Sequence, residues 1–266
     1  MEKADFQELI WQKARELYRP MPWRDTTGPY FILVSELMLQ QTQVDRVIPK
    51  FNDFVTKFPT IEALAEAKLA EVLIAWSGLG YNRRAKFLHA TAQKVMTDFH
   101  GTIPHTAEDL VSLSGVGPNT AGAILAYGFN QPAVFIETNI RTVYFHHFFD
   151  DQIEVSDNAV REVVESTLDY EHPREWYWAM MDYGAFLKKQ GLGRIDQSRH
   201  YKKQTPLEGS LREVRGSIVK TLAKGPLTEE ALRALMPNDE RFDVALVALF
   251  SEGLVTKTSE QLHLQR

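Results

Sequence analysis

The sequence predicts an all-α protein that ends in a small winged-helix-like module, helices joined to a β-hairpin. Three observations carry this. Apolar residues at helical spacing recur in run after run from residue 4 to residue 188. A Gly115-Val116-Gly117 turn joins two of these runs as a tight helix–hairpin–helix, where Gly115 can take a positive φ and Gly117 lets the chain turn again. Near the C-terminus, Leu254-Val255-Thr256-Lys257 and Gln261-Leu262-His263-Leu264 alternate with period two around a turn.

In order, residues 4–18 read as an amphipathic helix with Phe6, Leu9, Ile10, Ala14 and Leu17 on one face, ended by Arg19-Pro20-Met21-Pro22-Trp23-Arg24. A helix over Pro29–Gln41 carries Glu36 among Phe31, Ile32, Leu33, Leu37, Met38 and Leu39. A carboxylate in that company is either exposed or buried with a raised pKa. Helices over 44–57, 61–66 and 68–75 lead to the loop Trp76-Ser77-Gly78-Leu79-Gly80-Tyr81. Arg83, Arg84 and Lys86 open the next helix, to about Phe99, and are candidates for phosphate contact. Helix 107–113 precedes the hairpin; the helix after it has Pro118 at its first position, where a missing N–H costs nothing, and runs to Phe129. Glu137 leads a helix through Phe149, followed by helices over 157–169 and 173–188. Three more, over 211–222, 228–235 and 241–250, come before the terminal hairpin.

At 266 residues the chain has room for one large or two modest domains. Glu2, Lys3 and Asp5 break any N-terminal signal pattern, and no apolar run nears the ~18 residues of a membrane span. The sequence contains no cysteine, which excludes disulfides and thiolate-held metal. The histidines lack metal-ligand spacing; His146 and His147 are adjacent and point apart on a helix. No side-chain metal site is expected. The net charge of −5 speaks mildly against a nucleic-acid partner. Its distribution speaks the other way: Lys188–Lys224 holds ten basic residues against three acidic ones, although a solvated face accounts for such a run as well.

The N–H groups that open the helix after the hairpin suit an anion such as phosphate; a plain helix–turn–helix connection is the alternative. Two further stretches favour the first: Val34-Ser35-Glu36-Leu37-Met38-Leu39-Gln40-Gln41-Thr42-Gln43-Val44, and the apolar run with a carboxylate, Phe135-Ile136-Glu137-Thr138-Asn139-Ile140-Arg141. Together with the hairpin they resemble the helix–hairpin–helix DNA glycosylases, the HhH-GPD superfamily. Within it they are most similar to the adenine DNA glycosylases of the MutY type, with endonuclease III as the wider relative. The resemblance covers about Met21 to Lys188.

It implies a two-lobed glycosylase core over 1–190, with a six-helix lobe at about 24–133 and a second lobe from 1–23 and 134–190. A basic connector, 191–207, then replaces an iron–sulfur loop, and 208–266 form the winged-helix-like module. By the same resemblance Glu36 protonates the leaving base, Glu137 is the anion beside the sugar, and Asn139 orients the acid or a water. Trp23, Arg24 and Asn119 shape the base pocket. Gln40, Gln41 and Thr42 form the wedge that fills the gap left by an extruded base, and Tyr81 intercalates beside the opposing base; a packed loop tyrosine is the alternative. Gly115, Gly117, Asn119 and Arg83 hold phosphate, and the carbonyls of Val111, Leu113 and Val116 offer a monovalent-cation site.

Several positions depart from the family pattern. Glu137 stands where the family has aspartate, and Asn82 where a second tyrosine is usual. Asn119 replaces the serine or tyrosine of adenine-specific members and the lysine of bifunctional relatives. Lys188 stands about where the first of four cluster-binding cysteines would be. No iron–sulfur cluster and no other cofactor is therefore expected. No segment after Lys188 resembles the family's usual C-terminal domain, which is similar to a nucleotide pyrophosphatase and helps recognise 8-oxoguanine, so recognition through such a domain is not expected.

The expectation is a monofunctional DNA glycosylase of base excision repair, since asparagine at 119 cannot form a Schiff base. Its substrate would be a flipped adenine opposite 8-oxoguanine or guanine. The alternatives are another mismatched or damaged base, such as uracil or thymine, or a non-catalytic DNA-binding protein. The partner would be double-stranded DNA with a lesion or mismatch, bound by a monomer in the cytoplasm at the nucleoid, with no membrane involved.

Overall fold

The computed structural model describes residues 1–149, 152, 154–194, 206–237 and 239–265, in two compact units. Most of the basic connector lies outside these residues.

The first unit comprises Met1–Glu36, His105–Ser112 and the described residues from Val116 to Arg194. Its helices are α1 (Lys3–Leu17), α2 (Pro22–Asp25), the start of α3 (Pro29–Leu39), α8 (Ala107–Val111), α9 (Pro118–Phe129), α10 (Thr138–Phe148), α11 (Asp157–Thr167) and α12 (Pro173–Lys189). α12 is the central post: α1, α9 and α10 all pack on it. Phe6 and Ile10, the apolar face predicted for α1, are fully buried, and the Phe6 ring meets the edge of Trp176 at 6.0 Å. A buried ionic group is also made here. Asp182 takes a two-pronged contact from Arg24, at 2.7 and 3.1 Å, and a third bond from Arg19 Nε at 2.7 Å. α2 exists because of this anchor. Read from the sequence as a helix terminator, residues 22–25 form a single turn with Pro22 at its start and Trp23 and Arg24 buried.

The second unit comprises Leu37–Pro104, Leu113–Gly115 and the described residues from Pro206 onward. Its helices are α4 (Val44–Lys57), α5 (Ile61–Glu66), α6 (Leu69–Trp76), α7 (Arg83–Asp98), α13 (Leu211–Leu222), α14 (Glu229–Arg233) and α15 (Arg241–Ser251). β2 (Val255–Thr258) and β3 (Gln261–Leu264) form the predicted hairpin. A third strand was not legible: β1 (Leu227–Thr228), two residues long, pairs antiparallel with β3 to give the order β1-β3-β2. Two residues are too few for any periodicity to register. β3 also packs on α6, so the C-terminal segment is part of this unit.

α3 stops at Leu39, two residues short of the predicted end. Gln41 takes φ +56°, and Arg84 supplies the cap. Its Nη1 donates to the carbonyls of Leu37, Met38 and Gln40 at 2.6–2.9 Å, and its Nη2 donates to Thr42 Oγ1 at 3.0 Å. A cation at the C-terminal end of a helix satisfies its last carbonyls and its dipole. Arg84 is thus a buried helix cap rather than a phosphate contact. Lys86 likewise turns inward, to the Glu252 carbonyl at 2.5 Å. Among the described residues no helix is long and apolar enough to cross a membrane.

Candidate active site

The first unit brings two carboxylates into one site. Glu36 sits on the part of α3 where Leu33, Val34 and Ser35 are buried, and is itself half-buried. Burial pushes its pKa up to about 8, with the charge of Glu137 adding to the rise. Of the two readings open for Glu36 from sequence, the shielded carboxyl is the one found.

Glu137 is the residue before α10 and makes no side-chain cap bond to it, so helix capping does not account for the acid. Burial raises its pKa to about 7 against the opposing pull of Lys188, a hydrogen bond with Asn139, and Arg19. Tyr127, on α9, completes the group. Its hydroxyl is held well above the usual tyrosine pKa, first by burial and then by the charges of Glu137 and Glu36, so it stays a neutral donor. Nothing in the sequence marked Tyr127; it read as the end of a helix.

Among the described residues, three buried atoms of this cluster have no hydrogen-bond partner: Tyr127 OH, Glu137 Oε1 and Asn139 Oδ1. Buried polar groups in native proteins are almost always paired, and clusters of exceptions mark places built to engage something else. Asn139 Nδ2 also makes a weak contact, to Met181 Sδ at 3.7 Å.

Backbone packing fixes where this cluster stands. Asn119 Oδ1 accepts from the N–H of Ile136 at 3.2 Å, tying α9 to the strand-like run before Glu137. Gly184 lets α12 press against the start of α10: a Cβ there would lie 2.2 Å from the Asn139 carbonyl oxygen. Backbone cannot yield as a flexible side chain can. Gly184→Ala is therefore expected to lower stability by about 1–3 kcal/mol, the usual range for overpacking, and to displace Glu137 and Asn139. Thermal melting together with single-turnover base release checks this. Unchanged values of both would mean that α12 parts from α10 without penalty.

The other predicted residues fall as follows. Arg24 is held by Asp182, so its guanidinium fastens α2 and Trp23 to α12. In the second unit Gln40, Gln41, Tyr81, Arg83, Arg84 and Arg212 line a cavity of about 450 Å³. Gln40 Nε2 donates to the Gly115 carbonyl at 3.3 Å, and Tyr81, at φ +48°, accepts a 2.6 Å bond from Arg212 of α13. Arg83 is exposed and lies over the Phe87 ring. Gly115 has φ +78°, and a Cβ there would stand 2.9 Å from Phe87 Cβ, so only glycine fits. Gly117 is different. Its φ is −87° and nothing lies near a Cβ, so neither sterics nor backbone angle demands glycine. Glycine is therefore required at the first of the two positions and not at the second. Of the residues with candidate cation-binding carbonyls, Val111 closes α8, and Leu113 and Val116 are buried in the turn.

The residues present do not suit an iron–sulfur cluster, since no cysteine exists to ligate one. Among the described residues no group of three histidine, aspartate or glutamate side chains could hold a metal ion.

Comparison with known proteins gives this geometry a family. The model of the HhH-GPD superfamily base excision DNA repair proteins matches residues 34–166. The adenine DNA glycosylase of Mycobacterium tuberculosis (strain ATCC 25618 / H37Rv) is 33% identical over 278 aligned positions, covering 96% of this chain and 91% of that protein. That of Buchnera aphidicola subsp. Baizongia pistaciae is 34% identical over 173, covering 64% of this chain; the chain spans about half, 48%, of that relative. Among solved structures, a thermostable thymine-DNA glycosylase superposes with a TM-score of 0.63 at 23% identity, over 73% of this chain and 94% of that one. A trapped endonuclease III–DNA covalent intermediate superposes with 0.56 at 18%, over 77% and 91%. At such identities the two structures speak for the fold. The family model and the mycobacterial relative say more: the chain belongs to the HhH-GPD superfamily of base excision DNA repair proteins.

Proposed function

We propose that this protein is a monofunctional DNA glycosylase that releases adenine mispaired with 8-oxoguanine or guanine in double-stranded DNA. The observation that carries the reading is the carboxylate pair. Cleaving an N-glycosidic bond needs a proton for the leaving base and a negative charge for the oxocarbenium sugar, a task other glycoside hydrolases also give to two carboxylates. Glu36, with a pKa of about 8, keeps its proton near neutrality and is the general acid. As the bond between C1′ and the base breaks, its electron pair leaves with the base, and Glu36 delivers the proton to a ring nitrogen. Glu137, as carboxylate, stabilises the positive charge at C1′. Water then adds its oxygen to C1′ and returns a proton to Glu36. Asn139 and Tyr127 supply the unpaired polar atoms that orient base or water.

Adenine as the base is supported by the adenine DNA glycosylases among the relatives, and by the Gln40, Gln41 and Tyr81 side chains gathered for the opposing strand. Exposed Arg83 and the helix start after Gly117 support phosphate binding. From the proposed DNA substrate we infer a location at the nucleoid, in the cytoplasm. No step passes through a cluster or any other cofactor.

The test is excision from a panel of duplexes carrying adenine, uracil or thymine opposite 8-oxoguanine or guanine. Release of adenine alone is expected. Release of a pyrimidine but not adenine would overturn the substrate. The product is expected to be an intact abasic strand, because Asn119 has no amine to attack the sugar and its Oδ1 is tied to Ile136. Strand cleavage without alkali, or an adduct trapped by borohydride, would contradict monofunctional chemistry.

A further inference from the structure

Glu137 Oε1 is buried with no hydrogen-bond partner among the described residues, and a carboxylate so placed needs a nearby cation to stay ionised. Two arginines stand in this unit near the site, and both are committed. Arg24 pairs with Asp182 through both terminal nitrogens, and Arg19 gives Nε to the same carboxylate. Lys188 is not committed: among the described residues its ammonium makes no hydrogen bond and no ion pair.

Its placement comes from α12. Gly184 lies against the Asn139 backbone, and Lys188 follows four residues later, on the same helical face. The end of α12 then folds back over the lysine stem. Gly191, at φ +77°, donates to the Lys188 carbonyl at 3.1 Å, and Leu192 donates to Leu187 at 2.9 Å. A Cβ on Gly193 would meet Lys188 Cγ at 3.1 Å, so the stem is held while the residue as a whole stays exposed.

We propose that Lys188 is the through-space counter-ion of Glu137, a positioning residue that acts through this carboxylate and keeps it charged beside the scissile bond. The inference rests on the reading of Glu137 as the anion of the reaction. The charges support it from both sides: Lys188 pulls the Glu137 pKa down, and Glu137 props up a lysine pKa that desolvation otherwise lowers. The other groups facing Glu137 are Glu36 on α3 and Tyr127 on α9, which add no positive charge, and Arg19, already bound to Asp182.

The consequence is a pH limb. Excision should rise as Glu137 ionises, around pH 7, and fall as Glu36 loses its proton, around pH 8. Lys188→Met keeps the stem and removes the charge. Its rising limb is expected to move up by about one pH unit, with excision below the limb about ten-fold slower, while Lys188→Arg restores the wild-type profile. The probe is single-turnover release from a duplex with adenine opposite 8-oxoguanine, with melting temperature measured on each variant. An unmoved limb in Lys188→Met overturns the proposal, as does a shift that Lys188→Arg fails to reverse. Glu137→Gln, run in parallel, separates the two levels: if it keeps near wild-type rate, the reading of Glu137 itself fails.

Discussion

Glu36→Gln is expected to abolish base release and leave DNA binding intact. The amide is nearly isosteric with the acid, so the site keeps its shape and loses its proton donor. General acid catalysis is commonly worth about 10²–10⁴-fold, and the loss should fall in that range. The change should be confined to the chemical step: single-turnover release collapses while a mobility shift on the same duplex is unaltered. Stability supplies a second readout with a definite sign. The folded-state pKa of Glu36 is raised, from 4.5 to about 8, so the native protein binds the proton more tightly than the unfolded chain. The stability this confers is complete below about pH 4.5 and is lost as pH rises through about 8. Glutamine has no proton to lose, so Glu36→Gln should melt above wild type at pH 8–9. A variant that excises at wild-type rate would remove Glu36 from the mechanism.

Glu137→Gln should lose nearly all activity for a different reason: its charge. Removing a well-placed charge stabiliser commonly costs ~2.7–4 kcal/mol, on the order of 100- to 1,000-fold. Glu137→Asp keeps the charge and shortens the arm by one methylene; it should retain activity or gain it. Misplacement by about an ångström can itself cost on the order of 100-fold, so the aspartate variant measures how well the backbone here is fitted to glutamate. The rival explanation, a helix cap worth ~1 kcal/mol, already lacks its hydrogen bond. Near wild-type excision by Glu137→Gln would send the search to another carboxylate.

The helices were legible because each buries one stripe, and a stripe of Phe6 and Ile10 or of Val160 and Val164 repeats at 3.6 residues whatever it packs on. Their ends were less so. Where α3 stops depends on Arg84, 45 residues beyond Leu39 in the chain, which no local pattern announces. The family resemblance singles out Glu36 and Glu137, yet it neither brings Tyr127 to them nor pairs Asp182 with Arg24. Arg24 and Asp182 are 158 residues apart, and neither predicts the other.

The sequence by itself determined the helical class, the hairpin, the lack of cysteine and the positions of the two candidate acids. These are properties of residue type and spacing, which the chain carries before it folds. The tertiary structure alone decided the protonation of those acids, the commitment of Arg24 to Asp182, the third strand of the C-terminal sheet, and the approach of α12 to Glu137 that brings Lys188 into play. Each depends on burial, on backbone pairing or on charges brought together between residues more than thirty positions apart, and these act through distance in space, which the order of residues does not record.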